Sequence, residues 1–386
     1  MSNILLVRPS YPDARNSIYR IPIGLLKLSS FHKSKEDVVK YVEGYSFSED
    51  FVPDIIYITG IFTYWSQHTI DSINYYKKKY PLSKVIVGGI YPSISPDHIK
   101  NNSMVDEVIV GTIPEVELTY PDYSLLPTDV PEINDTQIIW ASRGCKRRCS
   151  WCAVWKIEPE VYFKDVDDIK KEILHFSNRK NVILYDNSIM QHIELERLLN
   201  MFKYWHDRIG FRYSACQGID GRMMMQWEEK GVPVAKLMKS AGFYDLRFSY
   251  DHKGEKDSVY YCVDKFESVG YKRKDMQIFC IINNTDNPDI VEDRYWEIYS
   301  QLGCQIHSDR FRPENIFSDD YHKGGTDYFM NSEYGWTNDN IRGTLSFMSG
   351  LNYATRMGIL YTEAERTQKA SILNKGKSSQ KLTEWI

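Results

Sequence analysis

Nowhere in these 386 residues do apolar side chains run on for the roughly 18 that a membrane-spanning helix needs, so no membrane span is expected. The opening residues, MSNILLVRPS, lack the basic-then-apolar pattern of a signal peptide. Their short apolar run reads as a strand, and a cytoplasmic protein is expected. Neither sign of charge dominates: 48 Lys and Arg against 52 Asp and Glu leave a formal net charge of −4. That balance gives no general electrostatic footprint for nucleic acid. Internal repeats are missing, and the one biased tract is a polar stretch near NKGKSSQK at 374–381. Cysteine is scarce, at 7. An odd number with three clustered speaks for metal chemistry and against a disulfide framework, in a compartment where thiols stay reduced. Tyrosine, at 28, and tryptophan, at 9, are plentiful. They suit either an aromatic substrate surface or an ordinary tyrosine-rich exterior.

The chain alternates strand and helix patterns almost throughout. In residues 1–125, strands are predicted at Asn3–Pro9, Pro53–Phe62, Ser83–Pro92 and Asp106–Thr112, with helical spacing in IGLLKLSSFHKS and in His68–Pro81. Strands separated by helices imply a parallel sheet covered on both faces, hence an α/β, Rossmann-like, doubly wound domain. Three prolines in Tyr120–Thr136 mark a linker, placed at 126–136. The alternation resumes in residues 137–316. Strands are predicted at TQIIWASRGC (Thr136–Cys145), Asn181–Asn187, Gly210–Gly218, Tyr244–Asp251, Met276–Asn284 and Cys304–Pro313. Helices are predicted at Asp165–Arg179, from about Gln191 to Arg208, within VPVAKLMKSAG, near Val263–Val269, and within IVEDRYWEIYSQLG. Six such units make a partial (β/α)6 barrel, which places chemistry at the carboxyl ends of its strands. Residues 317–386 form a C-terminal extension with a helix starting at N-cap Thr337.

RGCKRRCSWCAVW, from Arg143 to Trp155, holds three of the seven cysteines. Soft thiolates this close select zinc or iron–sulfur. A structural zinc site needs four ligands, and no second C-x2-C completes one; the next histidine, His175, falls in a helix. Three thiolates suit three irons of a [4Fe–4S] cube whose fourth iron stays open. The loop also follows the first barrel strand.

C-x3-C-x2-C with an aromatic residue before its last cysteine, in that position, resembles the radical S-adenosylmethionine (SAM) superfamily. The resemblance implies that Cys145, Cys149 and Cys152 hold the cluster, that the open iron chelates the amino and carboxylate groups of SAM, and that one electron cleaves the sulfonium to a 5′-deoxyadenosyl radical. It places Trp151 near the adenine. PIGLLKLSSF, PDIIYITG, KVIVGGIYPSISPDHI and VDEVIVGT are similar to the cobalamin-binding-type domain found ahead of many such barrels. By the same resemblance Asp186 and Asn187, in YDNSIM, face the SAM amino group, and Asp251 with Ser249, in RFSYDH, takes the place of a Gly-aliphatic-Glu-Ser segment. The strand-five loop reads IINNTDN, with Asn283 where glycine is usual. After the first strand comes RPSYPDARNS, without the histidine of Asp-x-His-x-x-Gly. Some members of the class bind cobalamin without it, others keep the domain as a scaffold.

Other residues at the predicted strand ends invite a role. Gly218 would let SAM or substrate approach the backbone. Arg222 would pair with a carboxylate or phosphate, or sit on an ordinary turn. His307, Asp309, Arg310 and Arg312 crowd the end of strand six, with His307 an acid/base and the arginines suited to an anion. Cys216, Cys280 and Cys304 would donate hydrogen or capture a methyl group, unless they are merely small buried residues. YKKKY is a solvated helix face, and Gly88-Gly89 ends a strand where such sheets bind cofactors. The expected function is cobalamin-dependent methylation of an unactivated carbon. The alternative is a cobalamin-free rearrangement, cyclisation or oxidation begun by hydrogen abstraction. A non-catalytic iron–sulfur or zinc protein would neither bind nor cleave SAM. The expected partners are a small-molecule, nucleotide or peptide substrate and an electron donor such as flavodoxin or ferredoxin.

Overall fold

The computed structural model describes residues 1–12, 20–126, 130–319 and 325–367. Part of the expected linker and the polar tract at 374–381 lie outside the described residues. The chain divides into two units. The first comprises 1–134, 148–159 and 313–329, and the second 135–147, 160–312 and 330 onward. The division expected at 125 and 316 is thus crossed twice, because 148–159 and 313–329 pack with the first unit.

In the first unit, apolar runs make the central strands, whose side chains are mostly buried, as in parallel sheets generally. The strands are β1 (Asn3–Arg8), β2 (Val38–Glu43), β3 (Ile55–Gly60), β4 (Lys84–Gly89) and β5 (Glu107–Val108). All pair in parallel, in the order β2-β1-β3-β4-β5. Ile4 and Leu6 pack with Leu25 and Leu28 of α1 (Ile23–Lys33). Leu5, Val7, Ile56 and Ile58 pack with Ile73 and Tyr76 of α2 (Ser66–Lys79). Short helices α3 (Ile90–Ile94), α4 (Pro96–Asn102), α5 (Pro114–Glu117), α6 (Pro131–Asn134) and α7 (Val154–Ile157) complete it. β2 is an addition to the four expected strands: VVKYVE is short, is broken by Lys40 and ends on Glu43, and at the sheet edge its side chains stay partly exposed.

The second unit holds the six expected parallel strands, each shorter than its sequence pattern: β6 (Thr136–Ile139), then, after the antiparallel pair β7 (Ser142–Arg143) and β8 (Tyr162–Phe163), β9 (Asn181–Leu184), β10 (Arg212–Ala215), β11 (Arg247–Ser249), β12 (Gln277–Ile282) and β13 (Gln305–Arg310). Their order is β6-β9-β10 and β11-β12-β13, joined by a parallel bridge from Ile219 to Phe248. The covering helices are α8 (Val166–His175), α9 (Leu195–Ile209), α10 (Gly221–Glu229), α11 (Val234–Ser240), α12 (Lys256–Ser268), α13 (Pro288–Glu297), α14 (Asn338–Met357) and α15 (Glu363–Thr367). α10 was not expected. Asp220 caps it, accepting from the backbone N–H groups of Arg222 and Met223. α14 starts at Thr337, whose hydroxyl caps Asn340, as expected. It is no detached cap: Asn352 bonds both backbone groups of Ile306 at 2.7 Å, closing the edge of β13. Among the described residues no helix is long and apolar enough to cross a membrane.

Candidate active site at the strand ends

The cysteine loop leaves β6 through β7, and the entry to it is pinned by side chains that follow β9. Asp186, 2% exposed, accepts from the N–H groups of Ala141 (2.9 Å) and Ser142 and from the Ser142 hydroxyl (2.7 Å). Burial drives its pKa up to about 6 despite those hydrogen bonds. Asn187 donates to the Gly144 carbonyl at 3.3 Å. Gln191, 3% exposed, donates to the Ser142 hydroxyl and the Gly144 carbonyl, each at 3.0 Å, and accepts from the Lys146 N–H at 3.1 Å. The resemblance sets Asp186 and Asn187 against an ammonium group; here both turn to the loop backbone. Gly144 sits at φ +72°, where a Cβ would lie 2.2 Å from the Glu160 carbonyl oxygen, so only glycine fits. Beyond Cys145, the Arg147 guanidinium grips Asp220 through two nitrogens at 2.7 and 3.1 Å, and the Arg147 backbone N–H points at the Cys145 sulfur, 3.4 Å away.

Cys145 belongs to the second unit and Cys149 and Cys152 to the first. In the first unit the Trp155 indole donates to the Cys149 carbonyl at 3.3 Å, and the Cys152 N–H to the same oxygen at 3.1 Å. Trp151 stands half-exposed. All three cysteines are partly exposed and belong to no disulfide. Their donor chemistry fits an iron–sulfur cluster, although among the described residues no three cysteine, histidine or carboxylate groups are already gathered around a metal position. The remaining cysteines are of another kind. Burial pushes the thiols of Cys216 and Cys304 up to about 12, and those of Cys262 and Cys280 further still. Cys304 precedes β13, at the strand's amino end, and so is remote from the carboxyl-end surface on which it was expected to act.

Strand alternation sorts the second half-sheet into two faces. Phe248 meets Phe266 of α12, and Ser308 meets Tyr295 of α13, so Phe248, Cys280, Ser308 and Arg310 look outward to the helices. Arg310, 8% exposed, therefore shares no face with His307, contrary to expectation. The inner face carries rows set by register: Arg247–Gln277–Gln305, then Ser249–Phe279–His307, then Ile281 beside Asp309. His307 packs on Phe279 at 4.4 Å, and its Nε2 lies 3.5 Å from Asp309. The Asp309 side chain is largely exposed, and the neighbouring His307 ring with the charges of Arg312 and Arg247 holds its pKa below the usual carboxylate range. Just past the carboxyl ends of β6 and β9, Trp140 meets Tyr185 edge-on at 5.7 Å, with the Arg143 guanidinium 4.3 Å from the indole.

Asp251 accepts the Ile281 N–H at 2.7 Å. Burial, then the nearby Glu255 charge, raises its pKa to about 7. Arg222 pairs with Glu255 at 3.3 Å, and Glu255 accepts the Asp251 N–H at 2.8 Å. Gly218, at φ +98°, makes the turn that lets Ile219 reach Arg247. Asn283 adopts φ +58°, the left-handed conformation glycine would supply, and spans the Phe311 carbonyl (3.0 Å) and the Asn331 N–H (2.8 Å). Gln191, Asp220, Glu255, Trp140 and Tyr185 escaped the sequence reading. For Asp220 a signal existed, an Asp before a helical run; Gln191 and Glu255 offered none.

In the first unit, aromatic rings gather at the carboxyl ends of β1 and β3, where strand order reverses. Tyr11 stacks on Trp65 at 5.3 Å, and Phe62 stacks on Tyr64 at 5.0 Å. The Tyr11 hydroxyl donates to the Thr59 carbonyl at 2.8 Å. Gly89, at φ +111°, lies so close to the Gly60 carbonyl that a Cβ would be 2.4 Å from its oxygen, so of the Gly88-Gly89 pair it is Gly89 that this packing requires.

Comparison with known proteins places this architecture. No protein-family profile matches the chain, and neither does any curated protein. Among solved structures it is similar to the cobalamin-dependent S-adenosylmethionine radical enzyme OxsB with aqua-cobalamin bound, at TM-score 0.55 and 15% identity. The match covers 84% of this chain and 55% of that one, so the chain spans little more than half of OxsB. The chain has the fold of a radical SAM enzyme. The apo form of OxsB aligns at TM-score 0.49 and 15% identity, over 75% of this chain and 50% of that one. In this chain the cysteine loop follows β6, and the aromatic cluster lies in the first unit.

Proposed function

We propose that this protein is a radical SAM enzyme in which Cys145, Cys149 and Cys152 hold a [4Fe–4S] cluster. The observation that carries the reading is a three-cysteine loop leaving the first strand of a partial barrel, with its entry backbone fixed by buried polar side chains. When bound, the cluster supplies one electron to SAM, whose S–C5′ bond breaks to give a carbon radical able to remove a substrate hydrogen. The residues of the chain bind, orient and shield. Asp186, Asn187 and Gln191 hold the loop entry, and Asp220 holds Arg147. Trp140, Tyr185 and Phe279 offer substrate a largely apolar inner wall. His307, beside Asp309, is placed to hold or release a proton at Nε2.

Within that class we favour cobalamin-dependent C-methylation, supported by the likeness to a cobalamin-bound enzyme. Tyr11, Phe62, Tyr64 and Trp65 would meet the corrin. The described residues after β1, Pro9–Pro12, offer cobalt no histidine, so ring contacts would hold it. The second reading, a cobalamin-free rearrangement or oxidation, is favoured by Tyr11 itself, 6% exposed and filling the strand-end crevice against Trp65. One experiment separates them: anaerobic reconstitution, then SAM, dithionite and hydroxocobalamin, with 5′-deoxyadenosine and S-adenosylhomocysteine quantified by mass spectrometry. Both products, the second dependent on cobalamin, support methylation. 5′-Deoxyadenosine alone supports the second reading. SAM that neither binds nor breaks, with Cys149→Ala indistinguishable from the unaltered chain, overturns the radical SAM proposal.

A further inference from the structure

Two separate clamps hold the loop around Cys145. On one side Gln191 uses all of its amide: Nε2 donates to the Ser142 hydroxyl and the Gly144 carbonyl, and Oε1 accepts the Lys146 N–H. The Lys146 ammonium reaches back to the Gln191 carbonyl at 3.4 Å. On the other side the Asp220 carboxylate takes both Arg147 nitrogens and also caps α10, accepting the N–H groups of Arg222 and Met223 at 3.0 and 3.1 Å. Cys145 is thus bracketed by residues 144, 146 and 147, each tied to an element of the barrel. A buried side-chain amide with three partners is expensive to leave half-satisfied, so this arrangement specifies one loop conformation. The Arg147 N–H aimed at the Cys145 sulfur adds a donor to the atom that would bind iron. Hydrogen bonds to cluster sulfurs shift their redox behaviour.

We propose that Gln191 and Asp220 are positioning residues for the cluster. They fix the Cys145 arm of the loop and aim the Arg147 N–H at its sulfur, so that they set cluster retention and reduction potential without touching metal or SAM. The inference rests on the proposed cluster, and its test keeps the two apart. The unaltered chain, Gln191→Leu, Gln191→Glu and Asp220→Asn are reconstituted anaerobically. Iron and sulfide are counted, the rate of cluster loss to a chelator is followed by absorbance, and the reduced cluster's paramagnetic resonance spectrum and potential are recorded. Apo-protein unfolding serves as the control for folding. Gln191→Leu removes all three amide contacts. It is expected to lose its cluster about 10-fold faster or more, the scale on which supporting partners of metal ligands act. Gln191→Glu keeps the acceptor for Lys146 and loses both donors, so it should fall between. Asp220→Asn remains a good helix cap while weakening the grip on Arg147. It should shift the potential and spectrum with little change in unfolding, an outcome that a purely structural role would not give. If the unaltered chain holds no cluster, the proposed function fails. If it does, and all three variants match it in retention, spectrum and potential, the positioning role is overturned. Should Gln191→Leu fail to fold, Asp220→Asn alone decides.

Discussion

Gly144 and Asp251 show how much single positions decide here. At φ +72°, with the Glu160 carbonyl where a Cβ would go, Gly144→Ala combines backbone strain with a backbone clash. It should cost more than about 1 kcal/mol in urea unfolding and should also impair cluster loading. Asp251 carries a pKa raised from the ordinary carboxylate value of 3.8 to about 7. Its protonated form is therefore the one the folded state favours. The stability it contributes is fully present below about pH 4 and is lost as pH rises through about 7. Asp251→Asn keeps the acceptor for Ile281 and cannot ionise. The difference in unfolding free energy between variant and parent should grow in the variant's favour from pH 4 to pH 8; a constant difference would refute the assignment. At this scale the sequence was partly legible. The cysteines are contiguous, so spacing reveals them. Gln191 lies 45 residues from the Lys146 it binds, and Glu255 lies 33 from Arg222, so nothing local betrays either pair.

Elements were legible where their burial is one-sided or complete. The central strands of the first unit read as apolar runs, while β2, at the edge, hid in a half-polar one. α10 was missed because its cap, Asp220, sits in a glycine-rich turn that reads as loop. α14 was placed by its N-cap, yet its task was not apparent. The paired bonds from Asn352 to Ile306 close the exposed edge of β13, a job no periodicity announces. Asn352→Leu leaves a buried N–H and a buried carbonyl unpaired and should cost about 1–3 kcal/mol, read as a lowered Tm with unchanged secondary structure. A Tm equal to the parent's would mean that another group takes over that edge. Asn283 makes the same point from the other side: its amide reaches the Phe311 carbonyl and the Asn331 N–H. The strand-five loop holds Asn283 in the left-handed conformation through these two contacts.

For the whole molecule, the proposed function predicts what removing each cysteine does. Each of Cys145→Ala, Cys149→Ala and Cys152→Ala should bind substantially less iron than the parent and release no 5′-deoxyadenosine. Retention of a full cluster by any of them would remove that residue from the ligand set. If cobalamin is held at the aromatic strand ends, Tyr64→Ala should weaken retention of hydroxocobalamin in equilibrium dialysis several-fold, while its cluster content stays at the parent's level. The sequence by itself determined the class of sheet, the six-strand repeat and the three thiols, because hydrophobic period and ligand spacing are local properties of the chain. Tertiary structure alone decided the rest. It placed Cys145 in one unit and Cys149 and Cys152 in the other, turned Asp186 to the loop backbone, set Arg310 outward and His307 inward, and gathered aromatic rings at the end of the first sheet. Those outcomes follow from strand register and from buried polar groups finding partners across 30 or more residues, and neither is written in any one stretch of sequence.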